Sequence, residues 1–270
     1  RRQDTRLTVL LGFSFLLLVY GLMLTRSRGG ILAFFVGTAV LLVMAARHVP
    51  RKWLAIYAGL VVFAFLLADL SWGGALLGRM AETFQDIHRA STGRFAIWRE
   101  SWRLLFEQSP LWGIGLGLYS LVWPPYRAPE DASGGYFAHN DYLQIWIETG
   151  LPGLLLLLAV LVGAAWVVWR ALRRDNLLGA VRIEIAGLSA GLVAIATHSF
   201  VQYNFYVIPI LLLGGLLLAR LQELAVPPRR AAPRGWQWRP DRHFSATGYR
   251  LMVLALALLP LGYFASIGIS

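Results

Sequence analysis

Long runs of apolar residues without a charged side chain divide this sequence into segments. The runs cover residues 7–25, 29–46, 53–68, 149–169, 185–219 and 251–270. A helix of about 20 apolar residues crosses a hydrocarbon core of about 30 Å, so five of the runs fit one span each. The run 185–219 is too long for one span, and we expect it to turn near 202–204 and to form two. The pattern therefore predicts an all-α polytopic membrane protein with about seven transmembrane helices.

The polar interval 69–150 is the only long region outside the predicted spans. A loop of this length rarely lacks structure of its own, and its pattern predicts two helices. In the first, over 94–108, Phe95, Trp98, Trp102 and Leu105 form one apolar stripe. We interpret this segment as an amphipathic helix that lies on the membrane surface.

The second helix of the loop is predicted from its two ends. Asn140 is a good N-cap, and Gly150 is a plausible C-cap before the next span, which has Pro152 in its first turn. Between the two helices, Gly113, Gly115 and Gly117 alternate. Their spacing is not that of a dinucleotide-binding loop. A turn that lets the chain pass close to a ligand or a helix is therefore preferred over a phosphate cradle.

Composition agrees with a membrane protein, because 57% of the residues are hydrophobic, 14% are charged, and the mean hydropathy is +0.59. Soluble domains have about 25% charged residues. The net charge of +11 would suggest nucleic acid as a partner of a soluble protein. Here, 17 of the 25 basic residues fall at alternate ends of the predicted spans, and the positive-inside rule places those ends in the cytoplasm. The charge therefore indicates membrane orientation and no nucleic-acid partner.

The predicted organisation follows from this orientation. Three transmembrane helices occupy residues 1–68, a periplasmic loop occupies 69–150, and three more helices occupy 151–225. A Pro/Arg-rich cytoplasmic linker over 226–248 then leads to a last helix over 249–270. The sequence has no cysteine, so it forms no disulfide and no thiolate metal site.

Candidate chemistry collects on the outer side, where basic residues are disfavoured. Arg26, Arg28, Arg94 and His139 all belong there. Arginine binds phosphate oxygens in a bidentate manner, and neutral histidine accepts a proton near neutral pH. The alternatives are that Arg26 and Arg28 only flank a span and that His139 is an ordinary solvated loop residue. The pattern suits an anionic substrate at the outer leaflet.

These residues stand in motifs that resemble the O-antigen ligase/polymerase family, the Wzy-C-like membrane glycosyltransferases. The motifs are Ser27-Arg28-Gly29-Gly30, Gly93-Arg94-Phe-Ala-Ile-Trp98, Pro110-Leu-Trp-Gly-Ile-Gly-Leu-Gly117, His139-Asn140-Asp-Tyr-Leu-Gln and Glu148-Thr-Gly150-Leu-Pro-Gly153. The similarity covers roughly residues 20–170. Family members have about 10–12 spans, so the resemblance implies that the chain is a fragment without the N-terminal spans.

The resemblance also implies an activity. Members transfer glycan from undecaprenyl-diphosphate to an acceptor at the periplasmic face of the bacterial inner membrane, without a metal or another cofactor. Arg28 and Arg94, with Arg26 beside them, would bind the donor diphosphate, and Arg94 would also act in catalysis. His139 would activate the acceptor hydroxyl. Gly93, Asn140 and Glu148, which belong to the same motifs, would support the site.

Several functions remain open at this point. The acceptor is lipid A–core for a ligase, another repeat unit for a polymerase, or a protein side chain for a protein O-oligosaccharyltransferase. We prefer the ligase. A transporter or inorganic-carbon accumulation factor is an alternative of another class, although few ionisable groups lie within the predicted spans. A non-catalytic assembly protein is a third.

Overall fold

The computed structural model describes residues 5–46, 48–74, 78, 81, 93–127, 134–174 and 177–225. The helices over these ranges are α1 Thr5–Leu24, α2 Arg28–Ala45, α3 Arg51–Ser71, α4 Arg94–Gln108, α5 Tyr119–Val122, α6 Asp141–Leu172, α7 Gly179–His198 and α8 Ile208–Ala225. Two 3₁₀ turns, Pro124–Tyr126 and Asn204–Tyr206, complete the described elements. The described part of the chain contains no strand.

Six of the described helices are long and apolar enough to cross a membrane, namely α1, α2, α3, α6, α7 and α8. The all-α polytopic fold is thereby confirmed. The long apolar run divides as expected, because α7 ends at His198 and α8 begins at Ile208. The linker 226–248 and the seventh predicted span, 249–270, lie outside the described residues.

Helices α2 and α7 pack closely against each other. A Cβ added to Gly37 would lie 2.8 Å from the Ala190 carbonyl oxygen, and one added to Gly29 would lie 2.5 Å from Val201 Cγ2. The beginning of α2 therefore lies beside the end of α7, and the two helices run antiparallel. The α1–α2 turn and the end of α7 consequently share one end of the bundle, which we call the site end.

The opposite end is closed by apolar contacts and by an arginine that binds carbonyl groups. Ala171, Ile185, Leu221 and Ala225 form a buried cluster there. The guanidinium of Arg182 donates to backbone carbonyls near the end of α6, including that of Leu172 at 3.0 Å. Those carbonyls have no partner within their own helix, so Arg182 stabilises the connection between α6 and α7.

The described part of the loop packs into a layer with its own core at the site end. The core consists of Ile97, Leu104, Leu105, Tyr119, Trp123, Ala138, Leu143 and Ile147. It brings α4 and α5 against the first part of α6. The layer therefore holds the loop motifs close to the membrane-spanning helices.

The predicted α4 is present and has two apolar faces. The face that packs in the layer contains Ile97, Ser101, Leu104 and Leu105. From the predicted stripe, Phe95 and Trp102 keep 39% and 42% of their surface exposed. Trp102 lies on the second face, with its ring edge-to-face to Trp146 at 5.5 Å.

The predicted helix start at Asn140 and the break at Gly150 are both confirmed. The Asn140 side chain accepts a hydrogen bond from Leu143 N at 3.1 Å, and Gly150 has φ 68° and ψ −171° within α6. The turn around Gly113 passes directly over this break. A Cβ added to Gly113 would lie 2.5 Å from the Glu148 carbonyl oxygen and from Gly150 N. The glycine turn therefore passes close to a helix, as preferred from its spacing.

Candidate functional site

The turn between α1 and α2 places two of the predicted arginines. Ser27 Oγ accepts a hydrogen bond from Gly30 N at 3.1 Å, so α2 begins at Arg28. Arg26 has a left-handed backbone, with φ 52°. Its guanidinium carbon lies 3.6 Å from the centre of the Trp72 ring, just beyond the end of α3. The buried Nε of Arg26 has no hydrogen-bond partner within the described ranges.

Arg94 is the first residue of α4 and follows Gly93, whose φ of 80° requires a glycine-like backbone. The side chain is half-buried, and burial lowers the pKa of the Arg94 guanidinium from its ordinary value. Arginine stays charged in proteins despite such a shift. A partly desolvated positive charge interacts more strongly with an anion than an exposed one does.

A second histidine lies between these arginines, and the sequence analysis did not select it. A Cβ added to Gly29 would lie 3.4 Å from Cδ2 and 3.6 Å from Nε2 of His198. The imidazole therefore lies against the first turn of α2, next to Arg28 in sequence. The positive charge of Arg94 also acts on this imidazole. The only signal in the sequence was a histidine near the outer end of an apolar run.

His139 precedes the N-cap of α6 and has a left-handed backbone, with φ 52°. Its Nδ1 lies 2.9 Å from Oε1 of Gln202, a residue that the sequence analysis also did not select. The Tyr203 ring packs edge-on against the imidazole, with centroids 5.3 Å apart. These contacts fix the histidine at the start of α6.

The chain between α7 and α8 joins the parts of the site, and we call residues 198–206 the 198–206 segment. Its first residue, His198, lies against the first turn of α2, as described above. Further along, Gln202 binds His139, and Phe205 N donates to the Asp141 carboxylate at 3.1 Å. One short segment therefore contacts both α2 and the start of α6.

Glu148 connects the glycine turn to this segment. The carboxylate is 1% exposed and accepts hydrogen bonds at 2.8 Å from both Gly117 N and Tyr206 Oη. Gln144 Nε2 donates to it at 3.1 Å. Burial and the nearby carboxylate of Glu148 raise the pKa of the Tyr206 hydroxyl, which therefore keeps its proton and remains a donor. Glu148 thus holds the site together through α6.

An apolar cleft of about 280 Å³ lies beside the histidine. Its lining includes Asn140, which follows His139 directly in the chain. The other lining side chains are aromatic or aliphatic, and they include Trp98, Trp102, Tyr142, Trp146, Leu154 and Phe200. Because Leu154 lies beyond the break at Gly150, the cleft extends from the site toward the apolar part of α6.

The structure brings most of the predicted residues to the site end. The 198–206 segment lies against the first turn of α2, which begins with Arg28, and binds His139, and Asn140 and Glu148 fix the helix that follows His139. Arg26 lies in the same turn as Arg28 but stacks on Trp72. Among the residues that the structure describes, no three His, Asp or Glu side chains are grouped as metal ligands. The arrangement offers guanidinium groups for an anion and an imidazole for proton transfer.

Comparison with known proteins gives one match. A family profile described as O-antigen ligase matches residues 13–158, just over half of the chain. The matched region begins within α1, contains α2 to α5 and ends in α6, and it includes all the predicted site residues. No curated protein and no solved structure matches the chain.

Proposed function

Because the chain belongs to the O-antigen ligase family, we propose that it transfers a glycan from undecaprenyl-diphosphate to an acceptor hydroxyl. The reaction takes place at the periplasmic face of the bacterial inner membrane, and lipid A–core is the preferred acceptor. The 198–206 segment is the observation that carries the proposal. It lies against the first turn of α2 through His198, and it binds His139 through Gln202. The segment thus links the helix that begins with Arg28 to the proposed base.

Arg28 and Arg94 bind the diphosphate of the donor in this proposal, and Arg26 adds a positive charge in the same turn. Breaking the bond between the sugar and the diphosphate develops negative charge on the leaving phosphate oxygen. Fixed guanidinium groups stabilise that charge more in the transition state than in the ground state. The half-burial of Arg94 strengthens the effect, because less water screens its charge.

His139 acts as the general base. Its imidazole removes the proton of the acceptor hydroxyl while the hydroxyl oxygen attacks the anomeric carbon. The bond from that carbon to the phosphate oxygen breaks, and undecaprenyl-diphosphate leaves with the electron pair. Attack from the side opposite to the leaving group inverts the anomeric centre. General base catalysis contributes about 10²- to 10⁴-fold to such a step, and the reaction requires no metal or nucleotide sugar.

The apolar cleft beside Asn140 suits the lipid part of the donor. A diphosphate held at the site end leaves its isoprenoid chain to enter the membrane nearby. The cleft is lined by aromatic rings and by Leu154 on the apolar part of α6. Apolar surface buried against such a chain stabilises binding by about 25 cal/mol per Å². The cleft therefore supports a lipid-linked donor over a free sugar phosphate.

Substitution tests the proposal in a deletion strain of the source bacterium, with surface polysaccharide and lipid-linked intermediates as the measurement. We expect His139→Ala, Arg94→Ala and Arg28→Ala to abolish transfer at normal protein levels. Matched controls are His48→Ala and Arg99→Ala, because His48 lies exposed at the opposite end of the bundle and Arg99 lies exposed on α4. Full transfer by both His139→Ala and Arg94→Ala would show that the proposed site is wrong.

The same strain identifies the acceptor. Full-length chains left on undecaprenyl-diphosphate indicate the ligase that we propose. A single repeat unit on lipid A–core indicates a polymerase, and normal lipopolysaccharide with unglycosylated protein indicates a protein O-oligosaccharyltransferase. Unchanged glycans in the deletion strain would contradict a glycan transferase of any of these kinds.

A further inference from the structure

The contact between His139 and Gln202 determines which ring nitrogen carries the proton. Nδ1 of His139 lies 2.9 Å from the amide oxygen Oε1 of Gln202. An amide oxygen only accepts hydrogen bonds, so Nδ1 must be the donor. In a neutral imidazole the other nitrogen, Nε2, is then the basic one. The side chain of Gln202 therefore selects one tautomer of His139.

The backbone around His139 is fixed independently of this contact. Ala138 N donates to Gln144 Oε1 at 2.9 Å, and Ala138 O accepts from Trp98 Nε1 at 3.0 Å. On the other side, Asn140 caps α6. A non-glycine residue with positive φ persists only where its surroundings hold it. Because α4 and α6 hold the backbone, the hydrogen bond to Gln202 and the packing of Tyr203 act on the ring itself.

We propose that Gln202 is a positioning residue that holds His139 in the Nδ1-protonated form, with Nε2 as the atom that accepts the proton of the acceptor hydroxyl. This inference rests on the proposed function. The proton moves from the hydroxyl to Nε2 as the new bond to the anomeric carbon forms, and the imidazolium then releases it to water. Nδ1–H remains bound to Gln202 throughout.

A neutral amide differs from a carboxylate in one measurable respect. Both accept the Nδ1–H bond, but a carboxylate also attracts positive charge and favours the imidazolium. Tyr203, from the same segment, is a titratable side chain that packs against the ring. Replacing Gln202 with glutamate therefore keeps the orientation of His139 and changes its proton affinity, whereas replacement with leucine removes the orientation.

The test uses the full chain, purified in detergent and added to membrane vesicles of the deletion strain, which retain the native lipid-linked glycans and acceptors. We expect Gln202→Leu to lower the transfer rate about 10- to 100-fold. Gln202→Glu should retain transfer, and the acidic limb of its pH–rate profile should move to higher pH because the base is more easily protonated. Gln108→Leu is the matched control, since Gln108 is exposed at the end of α4 and its amide donates a hydrogen bond to Tyr126 Oη at 3.0 Å.

The outcomes separate this inference from the proposed function. Full transfer by His139→Ala would overturn the role of the base. If His139→Ala is inactive and a folded Gln202→Leu transfers at the wild-type rate, the positioning role is wrong and the proposed function stands. An unmoved acidic limb in Gln202→Glu also overturns the positioning role, and this readout does not depend on whether the leucine variant folds.

Discussion

The hydrogen bond between Glu148 and Tyr206 gives the most direct test of how the loop layer is attached to the membrane-spanning helices. Tyr206 Oη donates to Glu148 Oε2 at 2.8 Å, and Gly117 N donates to the same oxygen at 2.8 Å. The carboxylate is 1% exposed, so water does not replace a lost partner. Tyr206→Phe removes one donor, and Glu148→Gln removes the charge while keeping the shape.

The expected loss of unfolding free energy follows from the number of hydrogen bonds to Glu148 that each variant removes. A hydrogen bond to a charged group contributes about 1.5–3 kcal/mol, so Tyr206→Phe should lower the free energy of unfolding by about that amount. Glu148→Gln replaces one accepting oxygen with an amide NH₂. Two donors then lose an acceptor, at about 1–3 kcal/mol each, and we expect a loss of about 2–6 kcal/mol.

A double-mutant cycle in detergent isolates the pair. Unfolding is followed by intrinsic fluorescence in denaturant for wild type, each single variant and the double variant. We expect a coupling energy of at least about 1.5 kcal/mol, because the second change finds the bond already broken. Glu107→Gln is the matched control, since Glu107 forms an exposed pair with Arg103 at 2.8 Å and should leave stability unchanged. Additive effects, within about 0.5 kcal/mol, would refute the reasoning.

Three further predictions follow from the packing at the site end. Gly113→Ala should sharply lower the thermal unfolding temperature, because its Cβ would lie 2.5 Å from the backbone at Glu148 and Gly150. The control, Gly163→Ala on α6, should leave that temperature unchanged, because a Cβ there has no neighbour within 4 Å. Equal unfolding temperatures for the two variants would show that the turn is not tightly packed. His198→Ala should reduce transfer without lowering the unfolding temperature, and wild-type transfer rates would exclude it from the site. Raising the pH above about 10 should destabilise wild type more than Tyr206→Phe. The pKa of Tyr206 is raised in the folded chain, so at such a pH only the unfolded chain releases the proton. If denaturant titrations gave the same loss of unfolding free energy with rising pH for both proteins, the prediction would be wrong.

Local chemistry explains why the helices could be predicted from the sequence. An apolar run of about 20 residues has few structures other than a membrane-spanning helix, because every backbone polar group must be paired within the bilayer. The start of α6 and the break within it could be predicted equally well. Asn140 supplies an acceptor for Leu143 N, and Gly150 takes a positive φ. Each of these signals acts over a few residues, which is the range that periodicity and capping rules cover.

The contacts that build the site act over a longer range and left no such signal. Gln202 and His139 are 63 positions apart, and Tyr206 and Glu148 are 58 positions apart. Glu148 was named from a motif, but the sequence did not indicate that its carboxylate binds Gly117 and Tyr206. The face of α4 that packs in the layer had no local signal either. The helix has two apolar faces, and the one with Ile97 and Leu104 packs with Tyr119 and Trp123.

The two halves of the proposed site depend on each other through the packing of α7. The phosphate-binding half includes the first turn of α2, where Gly29 lies against Val201 and His198. The proton-transfer half depends on Gln202, four residues further along the same segment. A shift of α7 against α2 would therefore displace the base as well as the arginines. Close packing at Gly37, where an added Cβ would lie 2.8 Å from the Ala190 carbonyl oxygen, resists that shift from within the bundle. The helix pair thus sets the relative position of the two groups that a glycan transfer requires.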